Sequence, residues 1–313
     1  MDDGVNIVTI QVAPEEADQR LDRWFRRRFP GLTQSRLERL LRTGQVRVDG
    51  HRVKAGHRLS EGEAVRVPPL GIETTARPDA RPPSEDSLWL RSLVLYRDDD
   101  VIAINKPSGL AVQGGTGTTR HLDALLDGLR YDCPERPRLV HRLDKDTSGV
   151  LLIARSAAAA AALAQAFRDK TTRKTYWALV VGCPEPPEGI VDSVIAKSGS
   201  AGRERMQPSS DGRQAITRYR VVATAQGLTW LEMVPITGRT HQLRVHAAQL
   251  GTPIVGDRKY GGSAAIPHDG IARRLHLHAR SVELRKSTGG TVRVEAPLSP
   301  HMKRSFDLLG FRP

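Results

Sequence analysis

Apolar residues recur with two different periods along this chain. Leu21, Trp24, Phe25 and Phe29 fall on one helical face while Arg20, Arg23, Arg26, Arg27 and Arg28 fill the remainder, which predicts an amphipathic helix stopped by Pro30-Gly31. Leu37, Leu40 and Leu41 give the stripe of a second helix, with Ser35 and Glu38 at capping-box spacing and Thr43-Gly44 at its end. Arg36, Arg39 and Arg42 face away from that stripe. Val46-Arg47-Val48 then alternates as a strand into the hairpin-turn pair Asp49-Gly50, and Ala64-Val65-Arg66-Val67 supplies another. Two helices and a small sheet make a module over residues 18–67.

Residues 68–88 hold five prolines and neither period, so they read as a linker. Beyond them short apolar strands dominate. Strands over 93–96 and 101–105 flank the turn Arg97-Asp98-Asp99-Asp100, and others are predicted over 149–154, 175–181, 215–223, 229–235, 275–284 and 291–296. Two helices stand among them, over 156–168 and over 240–250, the second ending at Gly251. Residues 89–313 therefore read as one mixed domain and the whole chain as α+β.

Composition agrees with two domains: 313 residues, 39% hydrophobic, 27% charged and 4% aromatic. No apolar run approaches the roughly 18 residues of a membrane span. The first residues are acidic and lack the basic start and apolar core of an export signal, so the expectation is a cytoplasmic protein. Cys133 and Cys183, each followed by proline, suit neither a disulfide framework nor a zinc knuckle. Charge changes the picture more. The formal net charge is +13, and 39 of the 48 cations are arginine, the side chain that forks onto phosphate oxygens. Residues 18–67 alone hold 13 Lys plus Arg against six acids. A polyanionic partner is implied, nucleic acid first. Gly114-Gly115-Thr116-Gly117 lacks the lysine of a nucleotide-phosphate loop.

The densest polar stretch runs from His141 through Arg142, Leu143, Asp144, Lys145, Asp146, Thr147 and Ser148 to Gly149, immediately before an apolar strand. A carboxylate crowded by His, Arg and Lys has its charge balanced, which suits a nucleophile better than a proton donor. The residues by themselves do not choose between Asp144 and Asp146.

Two resemblances sharpen this. Residues 18–67, with Arg20-Leu21-Asp22 opening the first helix and Ser35-Arg36 leading to Val46-Arg47-Val48-Asp49-Gly50, resemble an S4 domain, a small RNA-binding module. Arg36, Arg39 and Arg42 would then hold the RNA backbone and add salt-sensitive affinity without reading sequence. The stretch His141-Arg142-Leu143-Asp144, continuing Thr147-Ser148-Gly149-Val150-Leu151-Leu152, resembles the signature of RluA-type pseudouridine synthases. Asn105-Lys106-Pro107-Ser108-Gly109, Lys174-Thr175-Tyr176, the run from Pro235 through Arg239, His241 and Arg244 to His246, and a later stretch through Asp257 and Tyr260 extend the likeness over 93–305.

The resemblance implies a mixed, mainly antiparallel sheet with a central cleft, and conversion of uridine to pseudouridine in RNA. Carried to matching positions, it makes Asp144 the catalytic carboxylate, Arg244 its basic partner, Tyr176 the ring that lies against the uracil, and Arg142 the side chain that fills the gap left by a flipped nucleotide. Arg239, beside a helix start, would take a phosphate or carboxylate partner. His241 and His246 lie five apart, and His276 with His278 lacks a third ligand, so no metal is expected; isomerisation needs no organic cofactor. The S4-like module together with the stretch from Asn105 to Gly115 resembles the RluC branch most, with the RluD branch close, which implies large-subunit ribosomal RNA, free or in a ribosome precursor; a monomer is expected. Transfer RNA, a non-catalytic ribosome-assembly factor and a nucleoside hydrolase remain as alternatives.

Overall fold

The computed structural model describes residues 7–29, 32–70, 84–114, 120–169, 171–199, 204–265, 270–285 and 290–313. Pro30-Gly31, most of the expected linker and Gly115-Thr116-Gly117 lie outside them. The chain forms two compact units, Met1–Pro83 and Ser84–Pro313.

In the first unit β1 (Val8–Gln11) precedes α1 (Leu21–Arg28), α2 (Gln34–Arg42), β2 (Arg47–Val48) and β3 (Ala64–Val67), and β3 pairs antiparallel with both other strands. The helical stripes become the core: Leu21, Trp24 and Phe25 are fully buried against Leu37, Leu40, Leu41 and Val65. Arg28 forms an ion pair with Glu16 at 2.9 Å and lies over the Trp24 ring at 5.0 Å, so one arginine of the basic face is structural. Asp49 and Gly50 both take positive φ, as a tight hairpin turn with right-handed strand twist requires.

Two expectations are corrected here. The cap of α2 is Thr33, whose hydroxyl accepts from the Arg36 amide at 3.4 Å; Ser35 lies inside the first turn, and Glu38 accepts instead from the Gln34 side chain. Arg36 does not simply face away, since its guanidinium donates to the Leu70 carbonyl at 2.8 Å, whereas Arg39 and Arg42 are exposed.

The second unit contains α3 (Glu85–Ser92), β4 (Val94–Arg97), β5 (Val101–Lys106), α4 (Leu122–Leu125), β6 (Arg138–Leu139), β7 (Ser148–Ala154), α5 (Ala157–Arg168), β8 (Arg173–Val181), β9 (Glu188–Ser198), β10 (Arg205–Pro208), β11 (Arg213–Ala225), β12 (Leu228–Pro235), α6 (Gln242–Gln249), β13 (Leu277–Arg285), β14 (Thr291–Glu295) and α7 (Pro300–Leu308). The end of the expected linker is thus helical, because Ser84 caps α3 through the Ser87 amide. The strands make an eleven-stranded sheet ordered β10-β9-β11-β12-β8-β13-β7-β5-β4, with β14 on β13 and β6 on β7. Every pairing is antiparallel except the short β13–β7 contact. The sheet is mixed and mainly antiparallel, as the resemblance implied.

Register brings one row of residues across the middle of this sheet. Gly149 pairs with Ala279, Ala279 with Tyr176, and Tyr176 with Met233. The entrance of β7, which follows the polar stretch, therefore lies level with Tyr176. A side chain at Gly149 would strike the Ala279 carbonyl, and its φ of +108° is also glycine's, so this position cannot carry a larger residue.

Buried histidines join β7 to β13 and α7 to the segment that leads into β13. His278 joins the Ser148 hydroxyl at 2.8 Å, His276 joins Ser305 at 2.8 Å, and His301 reaches the Leu275 carbonyl at 3.1 Å. Burial pushes His276 and His278 down to about 4 and His301 in the same direction. An unfolded histidine takes its proton near pH 6.5 while these do not, so the unfolded chain binds more protons and stability falls as pH drops from about 6.5 toward about 4. The urea midpoint should fall across that window; a flat midpoint would contradict the assignment of neutral, buried rings.

No helix among the described residues is long and apolar enough to cross a membrane.

Candidate active site

The sheet's central row opens into a cleft of about 900 Å³. The loop before β7, the start of β8 and the turn between β12 and α6 form its walls. Asp144, Tyr176, Arg244, Arg142 and Arg239 all line it, so the structure brings together five of the eight residues picked out from the sequence. Arg36, Arg39 and Arg42 belong to the other unit. Asp146 is exposed and lies off the cleft wall, which separates it from Asp144 where sequence could not. Among the lining residues Asp144 is the one carboxylate, against Arg142, Arg168, Arg173, Lys174, Arg218, Arg239 and Arg244.

The loop that carries Asp144 is fixed from beneath. Lys106 is fully buried, and its ammonium donates to the carbonyls of Pro107, Leu110 and Lys145 at 2.9, 2.9 and 3.0 Å. Burial pulls its pKa to about 7 against Asp146 and Asp144, while three carbonyl acceptors match the three hydrogens of the charged form. His141 holds the other end, its Nε2 accepting the Leu152 amide at 2.8 Å. Burial, and then Lys174, push this ring down to about 3, which agrees with a lone pair committed as acceptor.

Arg244 has two carboxylate partners. Its two short bonds, 2.7 and 2.8 Å, go to both oxygens of Asp257, which is 1% exposed; Asp144 stands farther off, at 3.5 Å from the remaining guanidinium nitrogen. Asp257 in turn accepts from the amides of Lys259 and Tyr260. Burial opposes the Arg244 charge, but the Asp257 bond and charge outweigh it and raise its pKa, so the cation is pre-set. The guanidinium is held by Asp257 and offers its free edge to Asp144.

A second group faces Asp144 that the sequence reading left without a role. His241 sits 3.8 Å from it through Nε2, and its Nδ1 is 2.7 Å from the Tyr260 hydroxyl. Tyr260 accepts from the Met206 amide, so we assign its own hydrogen to Nδ1, which leaves Nε2–H toward Asp144. Burial lowers the His241 pKa, Asp144 opposes, and Arg244 and Lys259 add to the lowering. His241 has φ of +54°, and α6 starts later than predicted, at Gln242. Gln242 makes that turn rigid: its amide oxygen accepts from Arg239 N and the Thr237 hydroxyl, and its NH₂ donates to Ile216 and Thr217. Arg239 donates through Nε to the Gln214 carbonyl at 3.0 Å, and among the described residues no carboxylate pairs with it. Arg142 is exposed at the rim.

Tyr176 is buried beneath the cleft, and burial followed by the Asp144 charge raises its pKa. It presents a neutral phenol. His276, His278, His241 and His246 serve as hydrogen-bonding groups, and among the described residues no cluster of three or more His, Cys, Asp or Glu is arranged to hold a metal.

Comparison with known proteins places this arrangement. Residues 100–249 match the RNA pseudouridylate synthase family, and residues 19–65 match the S4 domain. Ribosomal large subunit pseudouridine synthase C of Escherichia coli (strain K12) is 35% identical over 312 residues, covering 97% of each chain. The enzyme of the same description from Vibrio cholerae is 36% identical over 95% of each. Among solved structures, human RNA pseudouridylate synthase domain containing 4 superposes with a TM-score of 0.62 at 29% identity, over 73% of this chain and 98% of that one.

Proposed function

The chain belongs to the RNA pseudouridylate synthase family, which isomerises uridine to pseudouridine, and from that premise we propose that Asp144 is its catalytic carboxylate and large-subunit ribosomal RNA its substrate. The observation that carries the first half is the solitary carboxylate in a cationic cleft, with Arg244 at 3.5 Å and His241 at 3.8 Å. The second half rests on the relatives described as ribosomal large subunit pseudouridine synthases.

The reaction breaks the N1–C1′ bond, turns the uracil, joins C5 to C1′ and releases the C5 proton. Asp144 either attacks C1′ or removes a ribose proton, and both routes use the anion. A base inside a helix is out of reach, so the uridine is flipped from its stack onto the face of Tyr176. Burial and the Asp144 charge keep Tyr176 a neutral phenol, and its ring supports the uracil. Arg244, clamped by Asp257, orients Asp144, and Arg142 at the rim replaces the departed nucleotide. Arg239, tethered at the same rim, adds backbone contacts. The same reading has the enzyme acting as a monomer in the cytoplasm.

Mapping of pseudouridines after incubation with unmodified ribosomal and transfer RNA tests the substrate. New sites in large-subunit RNA are expected; modification of transfer RNA alone would overturn that assignment, and free uracil would mark a hydrolase.

The S4 unit adds to the salt-sensitive part of binding. Replacing both Arg39 and Arg42 with glutamine should weaken RNA binding and flatten the dependence of log Kd on log salt by about 1.5, since each phosphate left without its arginine removes roughly 0.7–0.9 from the slope. An unchanged slope would mean that this helix face is merely solvated.

A further inference from the structure

One partly buried cation in the cleft has an aromatic neighbour but no hydrogen-bond acceptor among the described residues. Lys174 lies two residues before Tyr176 on β8, so the two side chains share a face about 6.5–7 Å apart along the strand. Its stem runs into the cleft wall between α5 and the β12–α6 turn. Nζ is 5.5 Å from the centroid of the Phe167 ring, and a Cβ on Gly238 would stand 3.9 Å from it. No carboxylate, carbonyl or hydroxyl among the described residues accepts a hydrogen bond from this ammonium. Burial lowers its pKa, and no partner opposes that. The other cations differ. Arg244 is held by Asp257, Arg239 is tethered through Nε to the Gln214 carbonyl and Arg168 is bonded to Gln165, while Arg142, Arg173 and Arg218 are not buried.

A half-buried cation without an acceptor is costly to the folded chain, and such a cost persists where a ligand repays it. With seven cations and one carboxylate on the cleft wall, the ligand's chemistry is anionic. The carboxylate is Asp144, which already faces Arg244 and His241. We propose that Lys174 is a phosphate-binding residue, donating to the RNA backbone phosphate that adjoins the uridine lying on Tyr176. It acts as a positioning residue: it fixes the nucleotide's backbone beside the ring so that the ribose meets Asp144. Gly238 and Phe167 leave it two sides, one apolar and one without a side chain, so the phosphate has room to approach. This rests on the pseudouridine synthase reading and names a contact within it.

The test uses the full chain, with large-subunit ribosomal RNA as the probe. Equilibrium binding is measured at several salt concentrations in an Asp144→Asn background, and single-turnover rates in the otherwise native enzyme. Lys174→Gln should weaken binding about tenfold and reduce the magnitude of the salt slope by about 0.7, the value for one phosphate on a single strand. The rate at saturating RNA should change less than affinity does. Lys174→Arg, which keeps the charge, should recover most of the affinity and the slope; it also guards against a fold made unstable by the glutamine. An unchanged slope in Lys174→Gln, with turnover by the native enzyme intact, would overturn the phosphate contact alone. Absence of turnover by the native enzyme on any RNA would instead overturn the reading on which it rests.

Discussion

Replacing Asp144 with asparagine is expected to lower turnover by on the order of a thousandfold or more, equivalent to about 4 kcal/mol of transition-state stabilisation, while RNA affinity stays within about threefold. The side chain keeps its size and loses its charge. On the proposed reading affinity is carried by Arg142, Lys174 and Arg239 in the cleft and, in the other unit, by the exposed arginines of α2, and none of these depends on the Asp144 anion for its place. Removing one negative charge from a cationic cleft can only help a polyanion bind. Filter binding and single-turnover kinetics on the same RNA separate the two effects. Substantial residual turnover would remove Asp144 from the chemistry.

Asp257 should matter to both stability and turnover, although it does not line the cleft. Asp257→Asn retains an acceptor for the Lys259 and Tyr260 amides but strips the Arg244 guanidinium, itself 10% exposed, of its bidentate anion. Breaking a buried pair on one side costs roughly 3–5 kcal/mol, which for a domain of this size lowers the melting temperature by on the order of 10 °C. Turnover should fall by about ten- to a hundredfold as Arg244 swings toward the other carboxylate near it, Asp144. The double variant Arg244→Met with Asp257→Asn should regain much of the stability, because no unpaired charge remains, and regain no activity. Recovery of activity together with stability would show that the pair serves the fold alone.

The helices of the first unit were legible because their apolar faces are uninterrupted: Leu21, Trp24 and Phe25, then Leu37, Leu40 and Leu41, are all buried. β1 was not, since most of Val8–Gln11 is solvated and only pairing with β3 makes it a strand. β9 escaped for the same reason: Ile190 and Val194 are exposed, so alternation carries no inside-outside meaning there. Of the site, Asp144, Tyr176 and Arg244 could be named because each lies in a dense local motif. The Arg244 partner could not, because Asp257 is thirteen residues away and only the folded loop aims it. The cap at Thr33 in place of Ser35 shows a related limit: two hydroxyls stand near the helix start, and backbone geometry decides between them. His241 was visible as a letter, but its approach to Asp144 depends on the left-handed turn that Gln242 secures.

The most direct measurement of the central claim is tritium release from large-subunit ribosomal RNA transcribed with uridine labelled at C5, comparing the native enzyme with Asp144→Asn. Catalysis by Asp144 predicts stoichiometric release by the native enzyme and none above background by the variant. Release by both proteins, or by neither, would contradict it.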